Sequence, residues 1–309
     1  MSYASANLLQ PLISIIIPAY NRWAFLQQAI ASVIAQTYTN WELVVVDDGS
    51  TDGTKEGIQL LDDKRIHVFS VPHCGNIAIL RNAGVTAGTG EWIAFLDSDD
   101  VWLPEKLELQ LRFLLQEKKL WSYGSFELMN ETGQTIPAKS GKYVALSGWI
   151  TKELLTNKAS ANIGSLMLKR KLFEELDGFN SNPELVLRED YELVLRLSLK
   201  AEAAAVPDLL IRVREHAGRS TNTVNDGHKR TAFLYGHFTK LCPNRELKKI
   251  ARHRQAYHET EMAVKNIEQK KYRHAIGQLG KAFLKGDKLR HLLSALLRSL
   301  NIKKEMVKH

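Results

Sequence analysis

Cysteine is scarce: Cys74 and Cys242 are the only two in 309 residues. That excludes a disulfide framework and a four-cysteine zinc site, and it suits a reducing compartment. Long apolar runs are also missing. No uncharged stretch reaches the roughly 20 residues that a bilayer-spanning helix needs, and the opening MSYASANLL lacks the positive start of a secretory signal. The expectation is a cytoplasmic protein whose contact with a membrane, if it has one, is peripheral and at the inner face. Two phosphate-binding signatures are absent as well: no G-x-G-x-x-G follows the first apolar run, and G-x-x-x-x-G-K-[ST] occurs nowhere. A dinucleotide dehydrogenase and a P-loop nucleotidase are therefore disfavoured.

What is present is the composition of a globular protein, 44% hydrophobic and 25% charged. The net charge of +8 is unevenly placed. From Leu241 to His309 there are 17 Lys and Arg against 6 Asp and Glu, which leaves 25 against 28 for residues 1 to 240. A basic tail on a near-neutral body points to an anionic surface rather than to nucleic acid.

Apolar runs rich in β-branched residues recur at 12 to 17, 41 to 46, 66 to 71 and 91 to 96, and they read as buried strands. Helical spacing fills the intervals Trp23 to Ala35, Gly53 to Leu61, Asn76 to Ala87 and Pro104 to Glu117. Strand alternating with helix predicts an α/β fold, a mostly parallel sheet flanked by helices. Beyond these lie a strand at Ser122 to Met129, a polar loop at 131 to 142 and a helix from Arg188 to Ala201. Past residue 225 helix formers dominate, and 270 to 287 has the small-residue spacing of a helical hairpin.

In open α/β sheets ligands bind at the carboxyl ends of the strands. Here those ends carry Pro18, Ala19, Tyr20, Asn21 and Arg22, then Asp47 and Asp48, then Asp97, Ser98, Asp99 and Asp100. A D-x-D triplet at a strand end can hold a divalent cation whose remaining positions go to diphosphate oxygens. Without that context such a triplet is an ordinary solvated turn, and Asp47 and Asp48 also read as turn and N-cap chemistry.

The series SIIIPAYNR (14 to 22), VVVDDGSTDGT (44 to 54), LRNAGVTAGTGEWIAFLDSDDVWLPEKL (80 to 107) and REDYELVLRL (188 to 197) resembles the family-2 glycosyltransferases of the GT-A fold, over about residues 12 to 220. The resemblance implies an inverting enzyme that moves a sugar from a nucleoside-diphosphate sugar, with a UDP-sugar favoured, to a hydroxyl of a glycan or lipid-linked acceptor in cell-surface polysaccharide synthesis. It implies that Pro18, Ala19 and Tyr20 line the nucleoside pocket, that Asp48 accepts from the base, and that Arg81 lies near the nucleotide. Asp97 and Ser98 would face the ribose or sugar, Asp99 would hold Mn²⁺ or Mg²⁺, and Asp190 would be the general base. His216 falls where many members carry a histidine near the metal, with Arg214 and Arg219 as diphosphate partners. The domains implied are residues 1 to 225, with a nucleotide-sugar half at 12 to 118 and an acceptor half at 119 to 225, and a basic helical extension at 226 to 309.

Each assignment has a plainer rival. Arg81 could be a helix-surface arginine, His216 a loop histidine, and Asp190 with Glu189 a helix N-terminal acidic pair. Trp102 and Trp149 could stack on a sugar or belong to the core. A haloacid-dehalogenase reading of VVVDDGSTDGT fails, because it places Ser50 where the nucleophilic aspartate is needed. A chain of the same fold that binds nucleotide sugar or scaffolds at a membrane without turnover is the alternative function. In the tail, Leu289, Leu292, Leu293, Leu296, Leu297 and Leu300 share a helical face among basic residues. That pattern suits either an anionic membrane or a final packed helix.

Overall fold

The computed structural model describes residues 10–137, 146–219 and 226–285. The chain divides into two compact units, one made of Met1–Ile150, Ala159–Ser181 and Arg196–Ala217, the other of Thr151–Lys158, Asn182–Leu195 and Gly218–His309. The second unit thus takes two earlier segments besides the C-terminal helices. In chain order the strands are β1 (Ile13–Ala19), β2 (Trp41–Asp47), β3 (Ile66–Ser70), β4 (Trp92–Phe95), β5 (Val101–Trp102), β6 (Trp121–Met129), β7 (Met167–Lys169) and β8 (Ala203–Arg214). The helices are α1 (Trp23–Ile34), α2 (Thr54–Gln59), α3 (Ile77–Ala87), α4 (Lys106–Gln116), α5 (Thr151–Leu155), α6 (Arg170–Glu175), α7 (Glu189–Lys200), α8 (Gly227–Leu241), α9 (Arg245–Glu268) and α10 (Tyr272–Leu284).

The strands of the first unit form one sheet in the order β3-β2-β1-β4-β7-β6-β8-β5. β3, β2, β1 and β4 run parallel, β7 is antiparallel to both its neighbours, and β6 and β8 are parallel again. Every residue of β1 is buried, as expected of a central strand covered on both faces. The strand continues through Pro18. The reason is positional: Ile16 O accepts from Leu96 N on the β4 side. Strand alternation turns the Pro18 nitrogen the same way, beyond the last β1–β4 pair at Ile16 and Phe95, so no ladder donor is lost.

Order reverses between β1 and β4, since β2 lies to one side of β1 and β4 to the other. That reversal opens the crevice in which doubly wound sheets bind ligands. Helix α1 buries Leu26, Ala29, Ile30 and Val33, a single 3.6-period stripe. Helix α3 starts at the Asn76 cap, whose side chain accepts from Ala78 N at 3.1 Å, and it lies close on β1 and β2 at Gly84. A Cβ there would fall 2.4 Å from Ile16 Cγ2.

In the second unit Asn244 caps α9 by accepting from Glu246 N and Leu247 N at 2.8 and 3.1 Å. Lys270 then reverses the chain in a left-handed conformation, and α9 and α10 form a hairpin of which the stretch from 270, read as a hairpin by itself, supplies only the second helix. The two helices are tied by Asn266 Nδ2 donating to Gln278 Oε1 at 2.8 Å. Part of the polar loop and the leucine face at 289 to 300 fall outside the described residues.

One core residue defies its type. Lys106 is fully buried, its Nζ lies 3.8 Å from the centre of the Trp102 ring, and among the described residues no hydrogen-bond partner reaches it. An aromatic face offers an ammonium about 2 kcal/mol, whereas desolvating it costs several. Burial therefore wins and pushes the Lys106 amine well below its ordinary value. Because the unfolded chain then binds a proton that the folded chain does not, protons favour unfolding, and stability should rise with pH toward the ordinary lysine value. Lys106→Met, which keeps volume without the amine, is expected to be at least as stable as the parent at pH 7. Its advantage should shrink at up to about 1.4 kcal/mol per pH unit as pH rises to 9. Parallel denaturant-derived stabilities of the two proteins over that range would contradict this.

Candidate functional site

The site is assembled from loops at the carboxyl ends of β1 to β4. After β1, Asn21 takes a left-handed conformation, tolerable for asparagine, and it is stitched to the β2 loop. Asn21 N donates to Ser50 Oγ at 2.9 Å, and Asn21 Oδ1 accepts from Thr51 N at 2.8 Å. Next along, Trp23 N donates to Asp52 Oδ2 at 3.0 Å. Burial pushes the Asp52 carboxyl up, but hydrogen bonds from Thr54 and Trp23 outweigh it and hold Asp52 below its usual range. The backbone under Arg22 is thus fixed from both sides.

Of the β2 pair, Asp47 accepts from Ser50 N and closes the turn. Asp48 is 2% exposed and binds the loop after β3: Oδ1 accepts from Cys74 N at 2.8 Å and Oδ2 from Gly75 N at 3.1 Å. His73 Nδ1 lies 2.8 Å from Asp48 Oδ2. The His73 ring stacks on Tyr20 with centroids 4.1 Å apart and planes 19° from parallel. Pro18 and Ala19 are buried at the strand end, and Ala19 O accepts from Asp48 N at 2.9 Å. A flat, half-exposed Tyr20–His73 platform anchored on a buried carboxylate results.

After β4, Asp97 O accepts from Asp100 N in a tight turn. Ser98 is buried there. Arg81 on α3 is buried, not a surface arginine, and its Nη2 donates to Asp97 Oδ1 at 2.7 Å. Asp100 turns inward and accepts from Arg214 N at 2.8 Å. Asp99 points to a different set: its Oδ2 lies 2.8 Å from Arg22 Nη1 and 2.9 Å from His216 Nε2. His216 is packed against Phe25 with its side chain only 5% exposed, so it is no ordinary surface histidine.

One expectation needs correction. Arg214 is no diphosphate partner: it is 1% exposed, and its donors go to Asp99 O, Glu131 O and Gln28 Oε1 at 2.8, 2.7 and 2.9 Å. Trp102 is core, buried with Nε1 donating to Gly164 O, whereas Trp149 is exposed. Arg219 lies in the second unit.

Asp190 also belongs to the second unit, in the first turn of α7. Leu187, just ahead of that helix, holds a left-handed backbone, a costly conformation for leucine that tends to persist at functional turns. It is pinned by Arg188 N donating to Leu185 O at 2.7 Å and Arg188 Nε donating to Thr231 Oγ1 at 2.8 Å.

For a metal, the chemistry of Asp99 and His216 is suitable: a carboxylate oxygen and an imidazole nitrogen 2.9 Å apart can share one ion. Two protein ligands do not make a resident site, and among the described residues no group of three or more His, Cys, Asp or Glu is placed so that it could hold an ion. An ion held there needs ligands from another molecule, and diphosphate oxygens are of the right kind.

Sequence reasoning missed His73 and gave Arg22 no role. His73 carries no motif, and Arg22 finds its partners 77 and 194 residues away.

Comparison with known proteins places these features in context. Residues 14–176 match the model of glycosyl transferase family 2. An Escherichia coli protein, the UDP-Glc:alpha-D-GlcNAc-diphosphoundecaprenol beta-1,3-glucosyltransferase WfgD, is 36% identical over 186 residues, 60% of this chain and 69% of that protein. Among solved structures, TarS of S. aureus in complex with UDP-GlcNAc superposes with a TM-score of 0.70 at 18% identity, covering 94% of this chain and 88% of that one. The mannosyltransferase PcManGT from Pyrobaculum calidifontis, in complex with GDP-Man and Mn²⁺, gives 0.57 at 20% identity, covering 95% and 81%. These matches show the GT-A fold.

The loop after β3 provides a direct test of the Asp48 anchor. Asp48→Asn replaces a charged acceptor by an amide whose NH₂ opposes backbone donors, a loss of about 1.5 to 3 kcal/mol. Amide exchange at Cys74 and Gly75 should accelerate at least about tenfold relative to β1, read by hydrogen–deuterium exchange. Unchanged exchange would show that the loop is held by something else.

Proposed function

We propose, because the chain belongs to glycosyl transferase family 2, that it transfers a sugar with inversion from a nucleoside-diphosphate sugar to a hydroxyl of a glycan or lipid-linked acceptor in cell-surface polysaccharide synthesis. The observation that carries this is the meeting of Asp99 and His216 at the switch point of the sheet, 2.9 Å apart and beside Arg22. A UDP-sugar is the favoured donor. The E. coli relative is named for UDP-Glc and the TarS structure holds UDP-GlcNAc, while the Pyrobaculum calidifontis mannosyltransferase holds GDP-Man.

In this reading Tyr20 and Asp48 hold the nucleoside, with Pro18 and Ala19 as the pocket floor. Asp97, oriented by Arg81, takes the ribose or sugar hydroxyls together with Ser98. Asp99 and His216 hold a divalent cation, Mn²⁺ or Mg²⁺, which when bound supplies Lewis-acid stabilisation of the leaving diphosphate. Asp190 takes the acceptor proton. Its place in the first turn of α7 favours the anion and weakens it as a base. A transition state with early departure of diphosphate tolerates that, since the hydroxyl acidifies late.

The test is a panel of nucleotide sugars with and without Mn²⁺ or Mg²⁺, following nucleoside diphosphate release. Asp99→Asn should abolish metal-dependent nucleotide binding. Asp190→Asn should bind donor normally and lose about 10²- to 10⁴-fold in transfer. Wild-type transfer by Asp190→Asn would remove it as the base.

For the acceptor and the location, the second unit supports a membrane-surface reading. No helix of the described residues is long and apolar enough to cross a membrane. Helix α10 exposes Tyr272, Ile276, Phe283 and Leu284 beside Lys271, Arg273, Lys281 and Lys285, a combination suited to the anionic inner face of a membrane where lipid-linked acceptors lie. The full chain should float with phosphatidylglycerol-containing vesicles, and Ile276→Ser with Phe283→Ser should reduce the floated fraction severalfold. Equal flotation of both would remove this surface as the contact.

A further inference from the structure

Arg22 has no role in the reading above, yet it has a specific position. Its Nη1 lies 2.8 Å from Asp99 Oδ2 and 2.9 Å from His216 Nε2, and those two atoms are 2.9 Å from each other. One cationic nitrogen therefore faces both atoms proposed to hold the divalent ion. Nη1 carries two hydrogens and can donate to a carboxylate oxygen and to an imidazole lone pair at once. In the tautomer that leaves Nε2 unprotonated, the lone pair facing Nη1 is the one that a metal takes.

We propose that Arg22 is a built-in counter-ion for the Asp99–His216 pair, which competes with the divalent ion and yields to it when the diphosphate arrives. The inference rests on the metal reading of the preceding section and deepens it. A guanidinium and a divalent ion cannot share His216 Nε2, which offers a single lone pair, and beside Asp99 Oδ2 the two cations repel at that range. The backbone at Arg22 is held by the Asn21 and Trp23 hydrogen bonds, so the exchange is a rotation of the side chain alone. That side chain is 21% exposed. A guanidinium freed from Asp99 matches phosphate oxygens in a two-pronged contact. The diphosphate thus supplies what each cation lacks: ligands for the metal and a new partner for Arg22. Metal and nucleotide then bind with positive coupling, and the coupling is reciprocal.

The consequence is measurable without turnover. Free Mn²⁺ is followed by its electron paramagnetic resonance signal during titration of the full chain, with and without UDP. Wild-type protein should bind Mn²⁺ weakly alone and at least tenfold more tightly with UDP. Arg22→Gln should bind Mn²⁺ alone at least tenfold more tightly than wild type, and its further gain from UDP should be smaller. Arg22→Lys keeps a positive charge on the same tether and should stay near wild type in Mn²⁺ binding, with circular dichroism melts showing that both variants are folded. Arg22→Gln binding Mn²⁺ alone no better than wild type, while still binding it with UDP, overturns the proposal and spares the metal reading. Arg22→Lys gaining as much as Arg22→Gln overturns it too, since the charge would then not be the competitor. Failure of wild type to bind Mn²⁺ even with UDP overturns the metal reading and this proposal with it.

Discussion

Five aspartates crowd one edge of the sheet, and the fold must neutralise each of them. β2 delivers Asp47 and Asp48, and the turn after β4 delivers Asp97, Asp99 and Asp100. Three are answered by backbone: Asp47 by Ser50 N, Asp48 by Cys74 N and Gly75 N, and Asp100 by Arg214 N. Those three are 2 to 4% exposed, and a carboxylate locked to fixed amides is a structural anchor. Asp97 and Asp99 are answered by arginine side chains, with their own side chains 29% and 18% exposed. A side-chain partner can be exchanged for a ligand at modest cost, whereas a backbone partner stays, so a nucleoside at Asp48 would meet a lone pair left over from these bonds. The division between anchors and exchangeable groups therefore follows from which kind of donor each carboxylate meets.

The anchors make the exchange possible. Asp48 holds the loop carrying His73, and His73 stacks on Tyr20. Asp100 ties the end of β8 through Arg214, and Arg214 reaches on to Gln28 of α1 and to Glu131 O. His216 lies two residues beyond Arg214 in the same run of chain, so its approach to Asp99 depends on this buried arginine. Such preorganisation of the anchors is set during folding, so none of them need move at the moment of binding.

Most of the frame was legible because period and composition determine it. The alternation of β-branched runs with 3.6-period stripes located the first four strands and the helices between them within a few residues. What could not be read was the identity of partners distant in sequence. Lys106 looks like a surface lysine in a helix rich in charge, yet the register of α4 turns it inward onto Trp102. Arg214 and Arg22 are both arginines near the same acidic turn, and nothing in their local sequence shows which one is consumed by carbonyls and which faces Asp99.

The same distinction explains why the triplet Asp97-Ser98-Asp99 is ambiguous alone and specific in context. In an isolated turn both carboxylates would be solvated equally. Here Asp97 meets an arginine on a helix held close to the sheet at Gly84, whose missing side chain allows the approach to Ile16. Asp99 meets one from the loop after β1, joined by a histidine from beyond β8. Three separate stretches of chain contribute to a space defined by the point where strand order reverses. A carboxylate placed there is positioned by topology before any motif is considered, so the chemistry of the triplet depends on the strand order β2-β1-β4 as much as on the residues themselves.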